Sequence, residues 1–393
     1  MSLTSIRGKY LDLDSGNLES GVVTVDSESG IIKEIGKTAA TGKDAKVIES
    51  KGIIIPGLTD AHMHFIGARR YNLTEWVETP EILTALRSVK DLTRLLDAGF
   101  TAVRDLGSKA GNFLRRATEE GDLDGPRIVT SWKSLAQTGG DDDPLNFPLD
   151  VAQKISYSIY CDGPWDCRRA VREVIRGGAN VIKIYASTSF IQGAKIRPQL
   201  SEEEITAIVT EAHKAGIKVA AHAYGEEAFS TAVNSGVDSI EHGIGLTEES
   251  AEVMKKKGTF YVPTLSAFMI SIGTATGEKK ELIERHIGKE IKLAMETGIK
   301  ITTGSDYTGV MEEPHGKNYH ELVYLEKQGM NIVDVIRASC INGYELLDIK
   351  KAGKIETGMK ADLITIKHSK IENGESFAPE AIEHVFCRGK QVK

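Results

Sequence analysis

Apolar positions through the middle of the chain repeat one pattern: an amphipathic helical stretch, a glycine, then a short run rich in β-branched residues. After Asp162-Gly163-Pro164, the side chains of Cys167, Ala170, Val171, Val174 and Ile175 fall on one helical face. Gly177-Gly178 ends that stretch, and Asn180–Tyr185 follows as a strand. Ser201 with Glu204 predicts a capping box, with Ile205, Ile208, Val209 and Ala212 as the buried stripe. Gly216 then precedes a strand at Ile217–His222. The unit returns with strands at Val237–His242, Thr259–Val262 and Lys300–Gly304, and earlier strands are predicted at Ile53–Asp60, Thr101–Asp105 and Arg127–Thr130. Helices alternating with strands imply an α/β fold with a parallel sheet and right-handed crossovers. Eight such strands between residues 53 and 305 predict a (β/α)8 TIM barrel, which typically takes ~250 residues.

The flanks follow a different pattern. Short β-like runs alternate with turns at Gly21–Val25, Gly30–Ile35, Asp362–Ile366 and Glu383–Phe386, while 331–348 reads as helical. Neither end alone buries enough surface to stand as a domain. Together, residues 1–55 and 358–393 predict a small composite β-sandwich beside a barrel domain of residues 56–357.

Composition narrows the partners. Among 393 residues, 49 basic side chains stand against 56 acidic ones, a net charge of −7 that argues against a nucleic-acid binder. A 40% hydrophobic content suits an ordinary globular protein, and no apolar run approaches the ~20 residues that cross a bilayer. The N-terminal residues show no apolar core of a secretory signal. Four cysteines without a CxxC pair cannot form a disulfide framework, so Cys161 and Cys167, six apart, read as reduced thiols. The expectation is a cytoplasmic protein acting on a small molecule, with no nucleic acid or membrane as partner.

Candidate chemistry sits at the ends of the predicted strands. In Asp60-Ala61-His62-Met63-His64, side chains two apart share a strand face, the spacing two imidazoles need to bind one metal ion. Taken singly, such a pair is a weak signal. Lys183 lies in Val181-Ile182-Lys183-Ile184-Tyr185, an apolar strand where a lysine is rarely tolerated unless paired. Either it reaches water at a rim, or desolvation neutralises its amine, which can then take up carbon dioxide as an anionic carbamate. His222 and His242 each end a strand, twenty residues apart, and Asp306 follows the eighth. Five metal-competent groups thus gather at the C-terminal strand ends, where active sites of this fold lie.

This set resembles the amidohydrolase superfamily. The likeness extends to Ile54-Ile55-Pro56-Gly57-Leu58-Thr59-Asp60-Ala61-His62 and to the closing run Gly353–Leu363, pieces that mark members with a sandwich built from both termini. Val219–Gly225, Ser239–Gly243 and Pro314-His315-Gly316 look like the imidazolonepropionase-related group, which contains prolidase-type dipeptidases and carboxypeptidases for Xaa-Pro or Xaa-Arg/Lys dipeptides. Lys183 favours that dipeptidase branch. The resemblance implies two divalent metal ions, zinc as a rule. His62, His64 and Asp306 would hold one and His222 and His242 the other, with carboxylated Lys183 and a hydroxide bridging them. It also implies that Asp306 acts as the catalytic proton carrier. Tyr224 is expected on the substrate side of His222, as a donor to a substrate carboxylate or oxyanion or as a rim residue without a role. His315 is expected to line the pocket. Relatives of this architecture are often oligomeric, so a homo-oligomer is expected.

One departure stands out. Dipeptidase-like members usually show Thr-Gly-Gly-His after the third strand, whereas here the run is Thr138-Gly139-Gly140-Asp141-Asp142-Asp143. Asp142 and Asp143 read as a solvated loop. Asp141 reads either as part of that loop or as a substrate-binding residue that repels a carboxylate and welcomes a cation. His213, His286, His320, His368 and His384 receive no role. The functional expectation is an amidohydrolase cleaving an amide bond of a dipeptide or N-acyl amino acid. A cyclic-amide hydrolase is the alternative within the enzymes, and a non-catalytic scaffold the alternative outside them.

Overall fold

Strands from both ends of the chain hydrogen-bond into a single mixed sheet. The computed structural model describes residues 3–40, 45–190, 195–273 and 275–393. The N-terminal part supplies β1 (Leu3–Leu11), β2 (Leu18–Asp26), β3 (Ile31–Gly36) and β4 (Lys46–Pro56). The central part supplies β5 (Leu58–Met63), β6 (Phe100–Asp105), β7 (Arg127–Thr130), β8 (Ser134–Ala136), β9 (Ser158–Tyr160), β10 (Ile182–Tyr185), β11 (Val219–Tyr224), β12 (Ser239–Ile244) and β13 (Phe260–Val262). The C-terminal part returns β14 (Leu363–Ile366), β15 (Ile382–Cys387) and β16 (Lys390–Gln391).

The terminal sheet has seven strands in the order β16-β15-β14-β4-β1-β2-β3. A two-layer sandwich was expected, yet the ends pair edge to edge, because the long strand β4 takes β1 on one side and β14 on the other. The sheet then curls, with Ile31 bridging Lys360 and the Ala361 N–H donating to the Gly30 carbonyl at 2.9 Å. Ile6, Val25, Ile32, Ile54, Leu363 and Phe386 pack together inside the curl.

The strand expected at Ile53–Asp60 is in fact two. Ile53–Pro56 pair with β14, and the chain crosses at Gly57 into the central part, where the Leu58 N–H donates to the Gly99 carbonyl at 3.0 Å. Only glycine fits at the crossing, since a Cβ there would lie 1.9 Å from Thr101 Oγ1.

Central strands are parallel throughout, in one sheet β5-β6-β7 and another β13-β12-β11-β10-β8-β9. The short strands β8 and β9 were not anticipated. Residues 300–307 link the two sheets: the Tyr261 N–H donates to Lys300 at 2.9 Å, and the Ala61 N–H to Thr303 at 2.8 Å. Helices follow the strands as the sequence predicts. Pro164–Arg176 buries Cys167, Ala170, Val171 and Val174, and Glu202–Lys214 starts with the Ser201/Glu204 capping box. The Cys161 and Cys167 sulfurs are 3.0 Å apart, and all four cysteines are free and buried. Among the described residues, no helix is long and apolar enough to cross a membrane.

Candidate metal centre

His62 is the penultimate residue of β5, with His64 just beyond the strand, and Lys183 lies within β10. His222 belongs to β11 and His242 to β12. The parallel register sets Lys183 beside Ala220 and His222 beside Glu241, so Lys183, His222 and Glu241 share one face. Alternation would send His242 to the opposite face. It turns inward because its φ is +63° and because the β11–β12 ladder shifts between Ala223 and Tyr224. Gly243, at φ +74°, completes that turn, and a Cβ on it would lie 2.2 Å from the Tyr261 ring. Asp306 adopts the same left-handed conformation, at φ +58°. Such non-glycine residues cost on the order of 1–3 kcal/mol each and cluster at functional sites.

The side chains converge. His64 Nε2 lies 3.1 Å and His62 Nε2 3.3 Å from Asp306 Oδ1. The ligand atoms of these three residues all fall within 4.8 Å of one another. Tetrahedral zinc with bonds of ~2.0–2.1 Å needs ligand atoms about 3.3 Å apart, so the trio has the size of a metal site. Ring centroids of His62 and His242 are 4.8 Å apart, and those of His222 and His242 4.7 Å. The Nε2 atoms of His62 and His222 are buried without a hydrogen-bond partner. Such orphaned lone pairs are what a divalent cation would satisfy, and the N/O donor set suits one.

Electrostatics agree with that fit. Burial, then the Lys183 charge, holds His62 and His222 well below the usual imidazole range, and burial with the neighbouring histidines does the same for His242. These three are neutral, as ligands must be. For His64, burial is outweighed by the Asp306 hydrogen bond and charge, leaving its pKa raised. Desolvation lowers the Lys183 amine, against the pull of Glu241 and Asp306. The lysine therefore does not reach water, being 1% exposed, with its Nζ 5.2 Å from the centre of the Tyr185 ring.

These residues floor a cavity of about 450 Å³, walled by aromatic side chains including Tyr71, Trp76, Tyr157, Phe190 and Phe268. Tyr224 lines it, its ring 4.4 Å from that of His222. Asp141 lines it too, accepting from the Ser189 N–H at 2.7 Å, and burial raises its carboxyl to about 6. Asp142 and Asp143 are not solvated. Ser134, Ser158 and Tyr157 donate to Asp142, and the Gly139 N–H donates to Asp143, so protein donors from around β8 and β9 replace water. His315 lies behind the site and not on the cavity wall, its Nε2 3.0 Å from the His64 carbonyl oxygen. His286 is buried between Phe268 and Glu290, while His213 pairs with Asp238 near the surface.

Several supporting residues escaped the sequence reading. Glu241 Oε2 is 2.8 Å from His62 Nδ1, and Arg104 donates to Glu241 Oε1 at 2.7 Å. Thr264 Oγ1 is 2.7 Å from His242 Nδ1. The first two carried a legible signal: like Lys183, Arg104 and Glu241 are charges inside apolar strands.

The chain matches the amidohydrolase family over residues 53–392. Ochratoxinase from Aspergillus niger is 31% identical over 372 residues, covering 87% of this chain and 76% of that protein. Its crystal structure superposes with a TM-score of 0.90 at 28% identity, over 100% of this chain and 96% of the other. A Xaa-Pro dipeptidase solved with methionine in its active site gives 0.86 at 31% identity over the whole of both chains. A prolidase complexed with N-methylphosphonate-L-proline gives 0.88 at 31% identity, over 100% of this chain and 99% of that one. With its metal-sized cluster of histidines and aspartate, this chain belongs to the amidohydrolase family, hydrolases acting on carbon–nitrogen bonds.

Proposed function

We propose that the chain is a binuclear metal-dependent amidohydrolase that cleaves the amide bond of a dipeptide, of the Xaa-Pro kind, or of an N-acyl amino acid. The observation that carries this reading is the convergence of His62, His64, His222, His242 and Asp306 on two orphaned imidazole nitrogens, beside a desolvated lysine. His62, His64 and Asp306 would hold one ion, His222 and His242 the other, with carboxylated Lys183 shared between them. Zinc suits the donors. In the same reading the two parallel sheets, joined through residues 300–307, form one (β/α)8 barrel over 56–357, with 1–55 and 358–393 as the companion domain.

When bound, the ions supply Lewis acidity for the scissile carbonyl and a lowered pKa for the attacking water. The chain's own residues do the rest. Asp306, 25% exposed at its side chain, meets both His62 and His64 and is placed to take a proton at a carboxylate oxygen and hand it to the leaving amine. Burial raises the Tyr224 hydroxyl well above the usual phenol range, so it stays a donor, to the substrate carboxylate or the developing oxyanion. Asp141 faces the same space and favours a cationic or amine-bearing group over a carboxylate. The relatives that act on prolyl dipeptides support the substrate class.

The test is metal content per chain together with turnover on Xaa-Pro, Xaa-Arg, Xaa-Lys, Xaa-Leu and N-acetylated amino acids. About two ions with turnover on one of these supports the reading, and the preferred C-terminal residue reports on Asp141. Two ions without turnover would transfer the site to cyclic amides. No metal would overturn it.

A further inference from the structure

Each of the four histidines of the cluster has a hydrogen-bond partner that holds it, but the partners differ. His64 Nδ1 meets the Gly107 carbonyl at 2.9 Å, His242 Nδ1 meets the Thr264 hydroxyl at 2.7 Å, and His222 is held by the Thr188 backbone. Only His62 has a carboxylate at hydrogen-bond distance from its Nδ1, since Asp306 Oδ2 stays 3.8 Å from His242 Nδ1. Glu241 Oε2 lies 2.8 Å from its Nδ1, and both residues are fully buried, at 0% and 1% exposure.

Glu241 is itself fixed on its other oxygen. Arg104 Nη2 donates to Oε1 at 2.7 Å, and Ser239 Oγ donates to the same atom at 2.5 Å. Arg104 is held in turn, with Nη1 donating to Ser239 Oγ at 3.0 Å and Nε to the Ala61 carbonyl at 2.5 Å. That last bond anchors Arg104 to the residue next to His62. A carboxylate is acceptor-only, so the proton of neutral His62 must sit on Nδ1. The lone pair is then on Nε2, the atom buried without a partner and 3.3 Å from Asp306.

We propose that Glu241, locked by Arg104 and Ser239, is a positioning residue that fixes His62 as its Nδ1–H tautomer and makes it the strongest imidazole donor of the four. The inference rests on the metal reading above. A carboxylate behind a ligand histidine sets ring orientation and raises basicity, and its loss typically costs ~10–100-fold in metal affinity. Glutamine cannot substitute. With its oxygen toward His62, its amide would face the donors of Arg104 and Ser239. With its oxygen toward Arg104, its amide would face Nδ1 and drive the proton onto Nε2, which would block coordination.

Two measurements test this. In chelator competition with zinc, Glu241→Gln should lose affinity at one of two sites by about 10–100-fold. Ser239→Ala removes one of the two donors to Oε1 but leaves Arg104 on that atom and Oε2 free to accept from His62, so its loss should be smaller than that of Glu241→Gln. In the metal-free wild type, ¹⁵N-histidine NMR should report His62 as the Nδ1–H tautomer, with His62→Asn identifying its signals. Wild-type zinc affinity in Glu241→Gln, equal losses in both variants, or an Nε2–H tautomer of His62 would each overturn the proposal. If Glu241→Gln does not fold, the wild-type tautomer decides. A wild type that takes up no zinc would instead sink the functional reading, whereas a zinc-loaded wild type with an unaffected Glu241→Gln variant sinks this inference alone.

Discussion

Ser305 donates its hydroxyl to Asp60 Oδ2 at 2.6 Å, tying the strand that carries His62 to the segment that carries Asp306. Asp60 also accepts from the His62 and Ser305 N–H groups, each at 3.1 Å, and from Asn318 Nδ2 at 2.6 Å. It touches no substrate space, yet it sets the spacing of two candidate ligands.

Asp60→Ala should therefore cost stability and metal together. The Ser305 hydroxyl and the His62 and Ser305 N–H groups would be left buried without this acceptor, Asn318 would keep only Ser305 and His315, and the loss should be on the order of 3 kcal/mol in urea unfolding of the chelated protein. Asp60→Asn should cost less, because Ser305 can reverse its hydroxyl while only Asn318 is left facing a donor. Equal losses for the two variants would show that shape, and not acceptance, is what matters at this position.

The same region shows what was legible in the chain. His62 and His64 stand out by their spacing, Lys183 as a charge in an apolar strand, and His222, His242 and Asp306 by falling at or just after predicted strand ends. Their supports do not, because Asp60 and Ser305 meet across 245 residues and no local pattern encodes that pairing. The strand period also misleads at one place: it puts Glu241 and His242 on opposite faces, and a left-handed residue brings both to the site. Asp142 and Asp143 read as solvated because three successive acids usually are, and only the tertiary fold supplies the hydroxyls and N–H that bury them. The seven-stranded terminal sheet is legible as β structure from both ends, but its edge-to-edge pairing depends on β4, whose second half reads in the sequence as the start of the first central strand.

Lys183→Met should separate the lysine's chemical role from its structural one. Methionine fills a similar volume without a desolvated amine, so the metal-free variant should unfold no more readily than the wild type in thermal scans. Its metal content should fall below that of the wild type. Hydrolysis should drop ~10²-fold or more, equivalent to about 3 kcal/mol of barrier. A variant that keeps full metal content and rate would remove Lys183 from the centre.

Chelation should destabilise the protein without unfolding it. The orphaned Nε2 atoms of His62 and His222 leave unsatisfied acceptors in the metal-free state, which binding relieves. With free metal at ~100 times Kd, each ion adds ~2.7 kcal/mol, or roughly 3 °C in Tm for a chain of this length. Re-addition of zinc should restore the lost transition in calorimetry. An unchanged Tm after verified metal removal would contradict coupling of the site to the fold.

Asp141 should make the metal-free protein less stable as pH rises. Burial, aided by the Asp142 charge, lifts its carboxyl from 3.8 to about 6 in the folded chain, against the Ser189 hydrogen bonds and Lys183. Below pH 3.8 the group is protonated in both states and contributes no difference. Between 3.8 and about 6 the unfolded chain gives up the proton and the folded chain keeps it, so stability falls across that window and is level above it. The full penalty is ~3 kcal/mol by linkage. Asp141→Asn retains an oxygen for the Ser189 N–H and hydroxyl but carries no charge. It should stabilise the protein by up to that amount at pH 7.5 and by much less at pH 4, in matched denaturant titrations. The same increment at both pH values would mean that Asp141 is not held protonated by its surroundings, and that its effect is one of packing alone.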